Sequence, residues 1–295
     1  MTLARLFAVS ATFALLGVCA TARAQERQIV WAAKDWPPVM ILQQGAVPAS
    51  AAQLGRGFAD RMLAEVIARL PQYRHSFQLM NRQRIVGAMQ DGQNVCDPST
   101  LKTEEREQWA VFTPAMLLPP VTLVVRASSK ARITHGTATL SLAELVRRKE
   151  LTGRFEAKRS YGPALDPILQ QAGDNLTPEL VSRSGQLTSL VALGRYDYTL
   201  EYPMVVQYLQ QQATHGTALE TIVLKEAQQW TTSYIACTRN AWGEAVVRDI
   251  DVAIRAAAAT PAYRQALLAW LPPKYAQKNQ ARINEFFDDR AKRAP

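Results

Sequence analysis

Short apolar runs alternate with amphipathic helical segments along most of this chain. Residues 29–33, 121–126 and 233–237 are short runs typical of strands, and 121–126 is strongly β-branched. Between the first two, apolar residues recur at helical spacing from 58 to 70, and the pattern stops before Pro71. Alternation of this kind is typical of α/β units. It predicts an α/β fold.

The length of 295 residues suits one large domain or two medium-sized ones. A polar stretch of small residues, 127–139, separates two sections of strand–helix alternation and predicts a passage between two lobes. Helix starts are marked by capping residues, namely Asn81, Thr103, Ser141 and Thr260. From Pro272 onward the residues are charged, and we expect this end to be peripheral.

The N-terminus has the pattern of a cleavable export signal. A basic start at Arg5 precedes an apolar run over 6–20, and Ala22-Arg23-Ala24 follows as a small-x-small cleavage motif. We therefore predict cleavage after Ala24 and a periplasmic protein that begins at Gln25. A retained membrane helix is the alternative, but the run is short for a bilayer span.

The net charge of +9 falls to +7 when Arg5 and Arg23 leave with the signal. A basic surface is compatible with binding to phosphate backbones. However, the lysines and arginines are scattered, with no basic run and no recognisable nucleic-acid motif. We therefore expect no nucleic-acid partner.

Two cysteines, Cys96 and Cys237, remain after Cys19 leaves with the signal. An even pair in an oxidising compartment favours a disulfide over a metal site, and two buried free thiols are the alternative. The three histidines lie far apart, and no cysteine or histidine has metal-ligand spacing. The sequence thus predicts neither a metal nor a cofactor.

Several short motifs occur in an order that is specific as a set. They are Trp36-Pro37-Pro38, Gly57-Phe58-x-Asp60, Thr103-Glu104-Glu105-Arg106, Phe112-Thr113-x-Ala115, Gly194-Arg195-Tyr196-Asp197, and Thr260-Pro261-x-Tyr263 with Trp270. Over residues 29–270 this order resembles the extracellular solute-binding proteins of family 3, which serve amino-acid-type ABC transporters. The resemblance implies the type II periplasmic-binding fold, with two α/β lobes joined by a two-segment hinge.

The resemblance also implies how the chain divides. Lobe 1 would be discontinuous, built from residues 25–125 and 223–274, and lobe 2 would comprise residues 126–222. Residues 275–295 would form a charged C-terminal tail. The hinge segments would lie near 121–126 and 222–226. In the family's sheet order, the strands that carry Cys96 and Cys237 are neighbours, which would allow the disulfide.

The family's ligand site maps onto residues from both lobes. Arg106 matches the arginine that pairs with the ligand's α-carboxylate, a role that suits the two-pronged guanidinium. Trp36 matches an aromatic residue that covers the ligand. Ser99 matches a small hydroxyl or backbone contact of the family's site, and Thr100 lies beside it. Arg82 stands where many relatives have an aromatic wall, which is a departure that adds positive charge.

Lobe 2 would contribute two further segments. Ser160 and Tyr161 lie before a helix that we predict to begin near Pro163, where free N–H groups would attract an acidic group. Relatives that bind α-amino acids have an aspartate for the ligand's ammonium where this chain has Tyr202, and Glu201 comes one residue earlier. The ammonium partner is therefore open, and so is the amino-acid nature of the ligand.

The resulting prediction is a periplasmic solute-binding protein that captures a small anionic or zwitterionic metabolite. We expect a monomer that delivers its ligand to ABC transporter membrane subunits and has no catalytic residues. A sensor or accessory protein without a transporter is the first alternative. The second is a small-acid dehydratase on the same fold, with Glu201 or Asp35 as general acid or base.

Overall fold

The computed structural model describes residues 28–212, 218–271 and 273–292. The predicted signal peptide and its cleavage site after Ala24 lie outside the described residues. Among the described residues, eleven strands occur in chain order: β1 (Gln28–Ala33), β2 (Arg74–Leu79), β3 (Val95–Thr100), β4 (Ala110–Leu118), β5 (Thr122–Arg126), β6 (Thr139–Leu140), β7 (Gly153–Glu156), β8 (Leu176–Glu179), β9 (Tyr198–Glu201), β10 (Leu219–Leu224) and β11 (Thr231–Thr238).

The α-helices of the described part lie between and after these strands. They are α1 (Phe58–Ile67), α2 (Arg82–Gln90), α3 (Glu104–Glu107), α4 (Lys130–Thr134), α5 (Leu142–Leu145), α6 (Asp166–Gln170), α7 (Gln186–Ala192), α8 (Pro203–Gln212), α9 (Ala241–Ala258), α10 (Pro261–Leu268) and α11 (Pro273–Lys292). The predicted α/β class is confirmed.

Capping side chains fix several helix starts, as the sequence predicts. The side chains of Asn81, Thr103, Ser141 and Thr260 each accept a hydrogen bond from a backbone N–H in the first turn. Such caps satisfy donors that a helix start otherwise leaves without partners. The predicted caps are confirmed, although α5 is only four residues long.

The strands form two sheets. The first has the order β2-β1-β3-β11-β4, and the second has the order β6-β10-β5-β9-β7-β8. In the first sheet β1 runs parallel to β2 and β3, whereas β11 is antiparallel to both β3 and β4. The chain thus enters the second sheet after β4 and returns for β11, the last strand of the first sheet.

The crossings between the sheets differ from the predicted lobe bounds. Strand β5 pairs with β9 and β10 in the second sheet, although the predicted division gives residues 122–125 to lobe 1. The first crossing therefore lies at 119–121. Strand β10 also pairs in the second sheet, so the return crossing lies at 225–230.

The expectation of a peripheral charged tail at 275–295 is wrong for the described residues. Helix α11 covers most of this range and packs on α9 and β4. Ile283 and Phe287 are fully buried. Arg290 donates to Asp251 on α9 at 2.7 Å. The charged residues lie around an apolar stripe, so the composition concealed a packing face.

The predicted disulfide is confirmed. Cys96 on β3 and Cys237 on β11 are directly opposite in the antiparallel pair and are joined by an S–S bond. The bond links two parts of the first sheet that are 141 residues apart in the sequence.

Candidate functional site

Charged side chains from both sheets meet beside a narrow cavity, which three of them line, namely Arg82, Arg106 and Arg159. Four come from the part of the chain that forms the first sheet. They are Lys34 after β1, Arg82 at the start of α2, Asp97 on β3 and Arg106 on α3. In the second sheet the other three end or follow β7 and β9 (Glu156, Arg159 and Glu201). All seven are buried. Sites at the carboxyl ends of strands are a general feature of open α/β sheets.

Trp36 lies at the centre of this group. Its ring is only 3 % exposed, and the guanidinium carbons of Arg82 and Arg159 lie 5.4 and 4.9 Å from the ring centroid. The ring of Tyr202 lies 6.1 Å away. Cations over an aromatic face are attracted by its quadrupole. Trp36 therefore holds the arginines of the two sheets against one surface.

Arg106 contributes an arginine that forms no ion pair with any carboxylate of the described residues. It donates through Nη1 to Thr100 Oγ1 and to the carbonyl of Leu101, both at 2.8 Å. Through Nη2 it donates to the carbonyl of Lys158 at 3.0 Å. Lys158 follows β7 and belongs to the part of the chain that forms the second sheet, the second-sheet part. Burial and the charge of Arg82 lower the pKa of Arg106 to about 10. Arg106 thus remains a cation at neutral pH, bound only to uncharged oxygens.

Arg82 and Glu156 join the two sheets. The Nε of Arg82 donates to Oε1 of Glu156 at 3.1 Å, and both side chains are buried. Burial opposes ionisation of Glu156, but the charges of Arg82 and Arg159 lower its pKa. The Nη2 atom of Arg82 and the Nε1 atom of Trp36 are buried and have no hydrogen-bond acceptor among the described residues.

Arg159 and Glu201 form a two-pronged ion pair within the second sheet. Two guanidinium nitrogens of Arg159 donate to the two oxygens of Glu201 at 2.8 and 2.7 Å. Glu201 also accepts from the N–H of Tyr202 at 2.8 Å. Burial acts to lower the pKa of Arg159, but the charge of Glu201 outweighs it and raises that pKa. Strand β9 ends at Glu201, and the side chains of both Glu201 and Tyr202 contact Arg159.

Lys34 and Asp97 form the remaining ion pair. The Nζ of Lys34 donates to Asp97 Oδ1 and to the carbonyl of Ser99, each at 2.5 Å. Burial lowers the pKa of Lys34 to about 8, although Asp97 opposes the shift. Ser99 Oγ lies 3.2 Å from Ser233 Oγ on β11. This cluster fixes the ends of β1, β3 and β11 together.

The turn at Ser160 and Tyr161 differs from the sequence-based prediction. The helix begins at Asp166 instead of near Pro163. Asp166 accepts from Ser160 Oγ at 2.5 Å and from the N–H of Tyr161 at 2.6 Å. The donors expected to attract a ligand are therefore occupied by the chain's own carboxylate. Ser160 still lines the cavity, whereas the Tyr161 hydroxyl accepts from the N–H of Glu156 at 2.8 Å.

The cavity brings together most of the predicted site residues. Its lining includes Trp36, Arg82, Ser99, Thr100, Arg106, Ser160 and Tyr202, together with Leu101, Leu118, Arg159 and Ser233. The site predictions omitted Lys34, Asp97, Glu156, Arg159 and Ser233. Asp97 and Glu156 lie inside short runs typical of strands. Charged residues in such runs are rarely buried unless they are paired, and this was the available indication of buried ion pairs.

No cluster of three or more potential metal-ligating side chains occurs within residues 28–212, 218–271 and 273–292. In the same ranges, no helix has both the length and the apolar character needed to cross a bilayer.

Comparisons with known proteins give a likeness in structure alone. No family model matches the sequence, and curated proteins give no significant sequence match. The structure is similar to that of an amino acid ABC transporter substrate-binding protein from Streptococcus pneumoniae bound to L-arginine. The two are 12 % identical with a TM-score of 0.58, and the match covers 92 % of this chain and 99 % of that one.

Two further solved structures have the same fold. One is a mutant of the arginine-binding protein from T. maritima, at 13 % identity and a TM-score of 0.61, with 84 % of this chain and 96 % of that chain covered. The other is an ancestral arginine-binding protein bound to glutamine, at 14 % identity and a TM-score of 0.60, with 83 % and 96 % covered. The chain therefore has the fold of amino-acid ABC transporter substrate-binding proteins. The fold predicted from the resemblance is confirmed.

Proposed function

We propose that this chain is an exported solute-binding protein whose two lobes close on a small anionic or zwitterionic metabolite. The lobes would follow the two sheets, with the crossings at 119–121 and 225–230 as hinges. Export to the periplasm would follow cleavage after Ala24. The protein would act as a monomer and deliver its ligand to the membrane subunits of an ABC transporter, in line with its structural neighbours.

Arg106 is the observation that supports this proposal most directly. Its guanidinium is 7 % exposed and is bonded only to uncharged oxygens. A buried cation without a counter-charge is costly. A ligand carboxylate or other oxyanion would supply that charge, and bidentate binding suits the planar guanidinium.

The geometry favours binding over catalysis at the two acids considered for an enzyme. Both oxygens of Glu201 accept hydrogen bonds from guanidinium nitrogens of Arg159. A carboxylate held in this way is a poor general base, because neither oxygen is free to take a proton from a substrate. Asp35 is half-exposed and lies 4.0 Å from Arg183 on the surface. Neither acid lines the cavity, where a general acid or base would have to reach a bound substrate.

A ligand screen followed by mutation tests the proposal. A bound small molecule raises the melting temperature of the folded protein, so a thermal-shift screen of small organic anions and amino acids should give a hit. Calorimetry should then show that Arg106→Ala weakens binding by roughly 1.5–4 kcal/mol. Arg84, an exposed residue of α2, provides the control, and Arg84→Ala should bind normally. Equal affinities for Arg106→Ala and wild type would remove Arg106 from the site.

A further inference from the structure

The acidic side chains around the cavity, which we call the cleft between the two sheets, all accept hydrogen bonds from donors of the protein itself. Asp97 Oδ1 accepts from Lys34 and from the N–H of Ser99. Glu156 accepts from Arg82 at 3.1 Å and from Ser184 at 3.1 Å, and it lies 3.5 Å from Arg159.

Two further acids lie nearby and are occupied in the same way. Both oxygens of Glu201 accept from Arg159 at less than 3 Å, and one of them also accepts from a backbone N–H. Asp166, half-buried beyond Ser160, holds the Ser160–Tyr161 turn with its two oxygens. None of these acids therefore presents an unpaired charge to a ligand.

The donors of the same cleft are in the opposite situation. Arg82 Nη2 and Trp36 Nε1 are buried without acceptors among the residues described, and both side chains line the cavity. Arg106 donates only to neutral oxygens. Four buried cations, Lys34, Arg82, Arg106 and Arg159, stand against three buried acids, Asp97, Glu156 and Glu201, while the half-buried Asp166 is held by the Ser160–Tyr161 turn. The lining of the cavity thus contains hydroxyl groups but no carboxylate, whereas two of its donors have no acceptor among the described residues.

Such a cavity discriminates against a ligand ammonium. An ammonium donates three hydrogen bonds and accepts none, so in this cleft it would be buried beside cations without a free carboxylate. Discrimination by buried, unpaired polar groups can exceed that of shape alone. A carboxylate or keto oxygen, by contrast, would accept from the atoms that have no partner.

We infer that the cleft selects organic acids without an α-ammonium group, such as 2-oxo acids or unsubstituted carboxylates, over the corresponding α-amino acids. This inference rests on the proposed function and restricts its ligand to one chemical class. The Arg159–Glu201 ion pair, here called the locked pair, excludes the ammonium because Arg159 holds both oxygens of Glu201.

Matched pairs of small acids test this selectivity in calorimetric titrations of the full protein without its signal segment. The pairs are pyruvate with alanine, 2-oxoglutarate with glutamate, and succinate with aspartate. We expect at least one acid without an ammonium group to bind, and its amino partner to bind at least tenfold more weakly. An amino acid that binds as tightly as its partner would overturn the inference and leave the proposed function standing. Binding of no member, and of no other organic anion in a thermal-shift screen, would overturn both.

Arg159→Gln tests the part played by the locked pair, because it frees the Glu201 carboxylate. The ratio of amino-acid affinity to oxo-acid affinity should rise at least tenfold, a change that simple loss of packing would not produce. If this variant does not fold, Arg159→Lys serves instead, because a lysine ammonium cannot reproduce the two parallel hydrogen bonds of the guanidinium to Glu201, and the ratio should again rise. An unchanged ratio in the folded variant would contradict the role assigned to the pair.

Discussion

Arg82 at the start of α2 donates to Glu156 at the end of β7, and this 3.1 Å contact crosses the cleft between the two sheets. Both partners are buried. Together with the bond from Arg106 to the carbonyl of Lys158, it ties the first-sheet part to the second. Opening of the cleft would expose both charges to water, so the pair is sensitive to the degree of closure.

Glu156→Gln should shift the protein toward an open form. Removal of one partner leaves the buried guanidinium of Arg82 without its counter-charge, at a cost of about 3–5 kcal/mol if the cleft stays closed. Hydration on opening avoids that cost. Small-angle scattering without ligand should therefore give a larger radius of gyration for the variant. Glu220→Gln, at an exposed pair with Lys130 within the second-sheet part, is the control and should match wild type.

Reduction of the Cys96–Cys237 disulfide should destabilise the protein. The bond closes a loop with a sequence separation of 141, for which the loop-entropy model gives roughly 4–5 kcal/mol of stabilisation. Urea unfolding of the oxidised and reduced forms should show a lower midpoint after reduction. Alkylation of both thiols in non-reduced protein would show that the bond does not form.

Phe287→Ala should lower stability strongly, because the ring is fully buried and packs edge-on against Tyr263 at 5.6 Å. Loss of a buried phenylalanine side chain costs about 3–5 kcal/mol. The adjacent Phe286 is only partly buried, and Phe286→Ala should cost less. Thermal unfolding of the two variants compares them directly. Equal, small losses would mean that α11 does not pack as the structure shows.

Asp60 should make stability depend on pH between about 4 and 7. Burial raises the pKa of its carboxyl to about 7, although hydrogen bonds from the N–H groups of Ile41 and Gly57 oppose the shift. The folded state therefore binds this proton more tightly than the unfolded state. The stabilisation is complete below the unfolded pKa near 4, and roughly 2–4 kcal/mol is lost as pH rises through 7.

Asp60→Asn keeps the shape of the side chain and removes the titration. Urea midpoints measured from pH 4 to pH 8 should fall less with rising pH for Asp60→Asn than for wild type. Parallel curves for Asp60→Asn and wild type would assign the pH dependence to other groups.

The sequence predicted local features well, because they depend on neighbouring residues. Helix caps such as Asn81 and Thr260 act within three residues of their own position. The cysteine pairing was also predicted, but through the sheet order of the resembled family. Helix α11 was missed since its charged composition outweighed the apolar stripe formed by Ile283 and Phe287 at helical spacing.

The ion pairs of the cleft could not be predicted in this way. Arg159 and Glu201 are 42 residues apart, and Arg82 and Glu156 are 74 residues apart. Their pairing depends on how two sheets meet, which no local pattern specifies. Asp166 accepts hydrogen bonds from Ser160 and Tyr161, which are close to it in the sequence. The same sequence is also compatible with a helix that begins at Pro163, so this local contact was not predicted.

The position of β11 has a consequence for biogenesis. β3 and β4 are consecutive in the sequence, yet β11 lies between them and pairs with both. Synthesis proceeds from the N-terminus, so the facing edges of β3 and β4 have no partner strand until residue 238 has been added. Unpaired strand edges are templates for association with other chains. Until β11 is in place, the edges of β3 and β4 that it covers are therefore open to association with other chains.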